Sequence, residues 1–300
     1  MFEDPSLTRL DCAGRTLVLD RPRIMGIVNV TPDSFSDGGR HDTHEAAIAH
    51  GLALVEAGAD VLDVGGESTR PGAQDVDEAD ELDRVLPVVE GLVARTGVPV
   101  SIDTSKPEVM RAAVAAGAGM INDVFALRRE GALEAAAEAG VPVVLMHMQG
   151  EPRSMQEAPS YQDVVSEVHA FLAQRVFACE MAGIAKSRLV LDPGFGFGKT
   201  LEHNLALLAR LGDLLDLGCP LLAGLSRKRM IGELTGRGLD QRATGSAAAA
   251  LIAVQRGARI VRVHDVAATR DALAVLEAVA RQPRPRMEAA PAAPRWPDEE

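Results

Sequence analysis

Eight short runs of β-branched and aliphatic residues recur along the chain at intervals of about 34 residues, the spacing of a repeated βαβ unit. They occupy residues 24–30, 61–64, 98–102, 119–124, 141–146, 189–191, 221–225 and 259–263. Each run is apolar almost throughout rather than alternating, as expected of parallel strands covered on both faces. The stretches between them, rich in Ala, Leu and Glu, predict helices over 43–57, 78–95, 107–116, 131–139, 161–182, 203–211, 243–255 and 269–281. Gly58, Gly117, Gly140 and Gly257 each stand just past such a stretch, where a left-handed stop ends a helix. Eight units of this kind predict a TIM barrel, that is, a (β/α)8 fold. A doubly wound open sheet is the competing arrangement. Residues 10–19 alternate around Cys12-Ala13-Gly14-Arg15 and predict an N-terminal hairpin that covers the barrel bottom. Residues 1–282 are expected to form a single domain, followed by a disordered Pro/Ala-rich tail over 283–300.

Charge narrows the range of partners. Lys and Arg number 31 against 43 Asp and Glu, a formal net charge of −12. No concentration of positive charge is present to displace phosphate counterions from a nucleic acid. A local basic site for a small anion remains compatible with a negative whole. No apolar run reaches the roughly 18 residues of a membrane span, and the acidic start Met1-Phe2-Glu3-Asp4-Pro5 is unlike a signal peptide. Cys12, Cys179 and Cys219 are odd in number and far apart. They are expected to be reduced thiols rather than disulfides or zinc ligands, which points to a cytoplasmic protein.

The residues at the ends of the runs carry the chemistry, because the C-terminal strand ends of such a barrel surround one mouth. In chain order they include Asn29, Asp63, Asp103, Asn122-Asp123, Met146-His147, Asp192, Ser226-Arg227-Lys228, Arg262 and His264. Asp103, Asn122, Asp192 and Lys228 offer carboxylate, amide and ammonium groups that suit a flat, nitrogen-rich heterocycle. Arg70, Arg262 and His264 suit phosphate or carboxylate. Asn29 is an oxygen ligand of the kind that holds a largely water- and phosphate-bound Mg2+. Taken singly, an Asp or Asn after a strand is more often a turn former or helix cap. Lys106 and Lys199 have solvated loop lysines as their default reading, and His147 is expected to be a packed histidine. His41, His44 and His50 read as surface residues, and Met146 and Met148 as core or pocket wall. The stretch Gly194–Thr200 resembles a phosphate-binding P-loop, but Pro193 stands where its first glycine is required, so it fails the pattern. The chain has no GxGxxG, HExxH or GxSxG either.

At these residues the chain resembles the dihydropteroate synthases, folate-pathway enzymes targeted by sulfonamides. The matching blocks are IVNVTPDSFSDGG from Ile27, DVGGESTRPGA from Asp63, SIDT from Ser101, INDV from Ile121, LMHMQG from Leu145, LDPGFGFGK from Leu191, GLSRKRMIG from Gly224 and RVHDV from Arg262. The resemblance implies a homodimeric alkyl-group transferase that condenses (7,8-dihydropterin-6-yl)methyl diphosphate with 4-aminobenzoate, giving 7,8-dihydropteroate and diphosphate. It implies that Asp103, Asn122, Asp192 and Lys228 hold the pterin, with Met146 in the pocket wall. Asn29, Arg262 and His264 would serve magnesium and diphosphate. Phe35, Thr69, Arg70, Pro71, Phe197 and Ser226 would form the aminobenzoate side. An S_N1-like departure of diphosphate is expected, with Asp103 facing the resulting cation. A pterin-dependent methyltransferase and a non-catalytic paralogue are the alternatives, and the complete loops 31–39 and 68–72 favour the synthase.

Overall fold

The computed structural model describes residues 9–30, 40–68, 75–150, 155 and 158–282. Phe35, Thr69, Arg70, Pro71 and the 283–300 tail lie outside the described residues, as does the His41 side chain. Strands β1 (Arg9–Cys12) and β2 (Arg15–Val18) form the expected antiparallel hairpin. Its two-residue turn has positive φ at both Ala13 (53°) and Gly14 (82°), which matches the twist of the flanking strands. Asp11 Oδ1 accepts the Gly14 N–H at 2.8 Å and fastens the turn.

Eight parallel strands then close into a barrel: β3 (Arg23–Asn29), β4 (Val61–Gly65), β5 (Val100–Asp103), β6 (Met120–Asp123), β7 (Val143–Met146), β8 (Leu189–Asp192), β9 (Leu221–Ala223) and β10 (Ala258–Val263). Strand β10 pairs with β3 to complete the ring, so the open-sheet alternative is excluded. Helices α1 (Arg40–Glu56), α2 (Glu78–Arg95), α3 (Pro107–Ala115), α4 (Ala132–Ala139), α5 (Val164–Met181), α6 (Leu201–Ala209), α7 (Arg229–Thr235), α8 (Ala243–Gln255) and α9 (Val266–Ala280) follow the barrel strands. The glycines expected to stop helices do so, with φ of 104° at Gly58 and Gly117, 72° at Gly140 and 108° at Gly257.

Some element limits differ from the sequence expectation. Helix α5 starts at Val164 rather than Tyr161, because Asp163 caps it by accepting from the Ser166 N–H. Helix α6 starts at Leu201, where Thr200 and His203 form a reciprocal cap. Helix α7 was not anticipated: it is two turns long, too short to show an apolar period, and ends at Gly236. A 3-10 segment over Leu211–Leu217 likewise carries no 3.6-residue pattern.

Strand geometry explains how an apolar barrel presents a polar mouth. Side chains alternate across a strand, so residues two apart share a face. Met25, Val61, Met120, Val144, Val190, Leu222 and Ile260 form one buried cluster inside the lower barrel, together with Leu10, Cys12, Leu17 and Leu19 of the hairpin region. Two residues further along stand Ile27, Asp63, Asn122, Met146, Asp192, Gly224 (just past the end of β9) and Arg262. The apolar layer is thus capped from below by the hairpin and from above by the polar layer. The alternate strand residues face outward and pack with the helices into the larger core. Cys12, Cys179 and Cys219 are free and buried. No helix among the described residues is long and apolar enough to cross a membrane.

Candidate active site

Arg262 organises one side of the mouth. Its Nε donates to Asp63 Oδ2 at 2.6 Å and its Nη2 to Asp103 Oδ2 at 2.7 Å. Asp63 Oδ2 also accepts from Asn122 Nδ2 at 2.9 Å. Four side chains from four neighbouring or facing strands are therefore joined in one network. Burial acts against the Arg262 charge, but Asp63 and then Asp103 hold its pKa above the ordinary arginine value. Asp103 goes the other way. Burial pushes its carboxyl up to about 7, opposed by Arg262 and reinforced by the nearby Asp63, Glu81 and Asp123.

Asp192 and Lys228 build the opposite side. A Cβ placed on Gly224 would lie 3.8 Å from Lys228 Nζ, 3.9 Å from Arg262 Cβ and 3.9 Å from Asp192 Oδ2. Glycine at that position keeps the space between these three charged groups open. Asp192 is raised by burial and drawn back by Lys228, and its Oδ1 accepts the Gly194 N–H at 2.7 Å. Burial lowers Lys228 to about 8, against the pull of Asp192. Its ammonium lies 4.5 Å from the Phe197 ring centroid and donates to the Phe195 carbonyl. Met146, with Met148, Val124 and Met155, forms a buried apolar patch against which Phe125 and Phe197 pack. The result is a polar ring with one greasy wall, as a flat heterocycle requires.

Ser226 and His264 stand together at the same end: Ser226 Oγ lies 3.0 Å from His264 Nδ1 and accepts the His264 backbone N–H at 3.1 Å. Arg227, between Ser226 and Lys228, has φ of 56°, a conformation that costs a non-glycine residue free energy. Its guanidinium is fixed by both oxygens of Asp265 (2.9 and 2.6 Å), and its carbonyl accepts from Arg242 at 3.0 Å. Asn29, half-buried, ends β3 beside Gly65 of β4.

Two lysines are not where the default reading put them. Lys106 is 8 % exposed and Lys199 3 %. Lys106 Nζ donates to Glu67 Oε2 at 2.6 Å and also to the wholly buried Glu81. Glu67 Oε1 in turn accepts the Val76 N–H at 3.2 Å. Lys199 Nζ lies 2.9 Å from His147 Nδ1 and donates to the carbonyls of Gly194 (2.8 Å) and Phe197 (3.1 Å). His147 is packed as expected, edge-on to Phe171 at 4.9 Å, and burial pushes its pKa down to about 2. His50 is exposed and His44 half-buried. Asp123 is a turn former: its two oxygens accept the N–H groups of Phe125 and Leu127. Asp63 was counted among the polar strand ends from the sequence but was given no role of its own there.

A parallel βα barrel with a ring of acids, amide and cations at its mouth defines a small-molecule enzyme. The comparisons name the family. The model for pterin binding enzymes matches residues 25–264, most of the chain, and the chain belongs to that family. It is 54% identical over 270 residues to the dihydropteroate synthase of Escherichia coli K12, covering 90% of this chain and 96% of that protein. The dihydropteroate synthase of Xanthomonas albilineans with 4-aminobenzoic acid superposes with a TM-score of 0.88 at 67% identity, over 92% of this chain and 99% of that one. The same enzyme in complex with 7,8-dihydropteroate gives a TM-score of 0.84 at 64% identity, over 92% and 100% of the two chains.

Proposed function

We infer that the chain carries out the dihydropteroate synthase reaction, joining (7,8-dihydropterin-6-yl)methyl diphosphate to 4-aminobenzoate with release of diphosphate. The observation that carries this reading is the convergence of Asp192, Lys228 and Arg262 around the open space at Gly224, joined through Arg262 to Asp63, Asp103 and Asn122. The reading is supported by relatives named for the same reaction over nearly their whole length.

The roles follow from the chemistry of each group. Asp192 and Asn122 accept from and donate to the N–H and carbonyl edge of the pterin, while Lys228 donates to a ring nitrogen or oxygen. Met146 lines the pocket wall beside it. Arg262 and His264 meet the diphosphate. The C–O bond between the pterin methylene and the diphosphate breaks, and its electron pair leaves with the diphosphate. The positive charge left behind delocalises from the methylene into the ring, in reach of the ionised Asp103. The amine of 4-aminobenzoate attacks that carbon through its lone pair and then loses a proton to solvent. No covalent enzyme intermediate is needed. Ser226 and Phe197 are assigned to the aminobenzoate side, the role that the resemblance also implies for Phe35, Thr69, Arg70 and Pro71, which lie outside the described residues.

Magnesium fits the donor set at this mouth. Among the described residues no group of three or more His, Cys, Asp or Glu forms a metal cage. Asn29 offers a neutral oxygen at a strand end, the modest holding suited to an ion that keeps its waters and arrives with phosphate. Bound there, Mg2+ would supply charge compensation to the leaving diphosphate. We propose further that residues 1–282 act as one domain and that the chain works as a cytoplasmic homodimer. Exposed Leu234, Ile252, Val275 and Val279 on the adjoining helices α7 to α9 support the dimer. A sedimentation mass of one 31.7 kDa chain would overturn it.

A diphosphate-release assay tests the activity. Sustained release over many turnovers is expected only with the pterin diphosphate, 4-aminobenzoate and Mg2+ all present. Sustained release that ignores 4-aminobenzoate would contradict the reading.

A further inference from the structure

Lys199 is buried beneath the loop that follows β8 and makes no ion pair with a carboxylate among the described residues. Its three polar contacts among the described residues are the Gly194 and Phe197 carbonyls and His147 Nδ1. All three acceptors are neutral, since burial keeps His147 unprotonated at ordinary pH. Burial of a lysine amine is costly, and here burial pushes its pKa well down while only the more distant charge of Asp192 draws it back, so the position calls for an explanation. Nothing in the mechanism above uses it.

The contacts supply one. Gly194, Gly196 and Gly198 all have positive φ (68°, 80° and 60°), so the backbone turns repeatedly and its carbonyls point in different directions. Side chains on Gly194 and Gly198 would overlap the carbonyls of His147 and Gln149, so the loop lies flat against the strand end after β7. Asn204 accepts the Gly196 N–H at 2.7 Å, and Tyr161 donates to the Gly198 carbonyl at 2.8 Å. These bonds hold the loop from its outer side. From below, Lys199 reaches back to both ends of the Gly194–Phe197 turn and to His147, whose own N–H donates to the Asp192 carbonyl at 2.9 Å. On the mouth side, the same turn presents the Phe195 carbonyl and the Phe197 ring to Lys228.

We propose that Lys199 is a positioning residue for pterin recognition: it pins the Gly194–Phe197 turn to His147 so that the turn holds the Lys228 ammonium beside Asp192. The inference rests on the assignment of Lys228 to the pterin site. The motif that fails as a P-loop thereby finds its use, with its lysine turned inward to organise the loop instead of outward to a phosphate.

A double-mutant cycle on the full chain separates this role from a merely structural one. Binding of (7,8-dihydropterin-6-yl)methyl diphosphate is measured by calorimetry, without 4-aminobenzoate, for the parent, Lys199→Met, Lys228→Met and the double variant. Lys199→Met alone is expected to weaken binding about 30-fold, and less than about 3-fold when Lys228 is already Met, because groups acting through one another are not additive. Equal weakening in both backgrounds, or none in either, would overturn the proposal. Normal binding by Lys228→Met would overturn the pterin-site assignment and this inference with it. If Lys199→Met does not fold, Lys199→Gln, which keeps N–H donors on a shorter stem, replaces it in the same cycle. The expected loss is then smaller, and the criterion of its disappearance without Lys228 is the same.

Discussion

Asp103 and Arg262 show how much a single residue's behaviour depends on its neighbours. Arg262 is bonded to both Asp63 and Asp103, so the mouth holds two carboxylates against one guanidinium. That local excess of negative charge suits a site where a carbocation develops. It also makes Asp103 titrate near neutrality, its carboxyl raised by burial to about 7. A carboxyl with a raised pKa is ionised above that value and neutral below it. The charge facing the cation is therefore lost as pH falls. We expect kcat to drop about tenfold per pH unit below 7, and the drop to be absent in a uniformly slow Asp103→Asn variant. A parent profile flat from pH 5.5 to 8 would contradict this. The stability consequence has the opposite sense: the folded state holds the Asp103 proton more tightly than the unfolded chain, so this group's contribution to stability falls as pH rises toward 7. The strand-end acids, the amide and Lys228 were legible in the sequence because each follows an apolar run. Lys106 and Lys199 were not, since their partners Glu81 and His147 are distant along the chain and burial has no local signature. Asp63 was visible as a charged residue inside a strand, but its link to Arg262 needs the barrel to close.

At the scale of the element, the barrel's two ends are built from the same strands by alternation. On β4, β6, β8 and β10 the inward residue low on the strand is apolar, and the one two positions later is polar. This is why runs that look uniformly hydrophobic still deliver Asp63, Asn122, Asp192 and Arg262 to one face. The strands and most helices could be read from this apolar content and its glycine punctuation. Helix α7 and the 3-10 segment could not, because short elements are fixed by tertiary packing rather than by their own periodicity. The hairpin at the bottom belongs to stability and not to the site. A Cβ on Gly119 would lie 2.5 Å from the Cys12 carbonyl oxygen, so Gly119→Ala must push the hairpin away from the barrel. We expect about 2 kcal/mol of lost stability in denaturant unfolding, with KM for both substrates unchanged. A raised KM with unaltered stability would place the hairpin in the site instead.

For the whole molecule, the net charge of −12 does not decide what the mouth holds, because there Arg262 and Lys228 stand among Asp63, Asp103 and Asp192. Ion pairs such as Arg95–Glu45 and Arg210–Asp163 lie on the outer surface. The outer pairs are solvated and contribute little. A closed barrel is the architecture that allows the grouping at the mouth, since groups from strands far apart in sequence become neighbours around a ring. The central claim is that this ring grips a bicyclic base. Calorimetric affinity for the pterin diphosphate in Asp192→Asn tests it most directly, because Asn retains an oxygen for the Gly194 N–H while it removes the charge and turns the second acceptor oxygen into a donor. The account predicts a loss of at least about 30-fold, the scale of a charged hydrogen bond in a buried site. Parent-like affinity in that variant would contradict it.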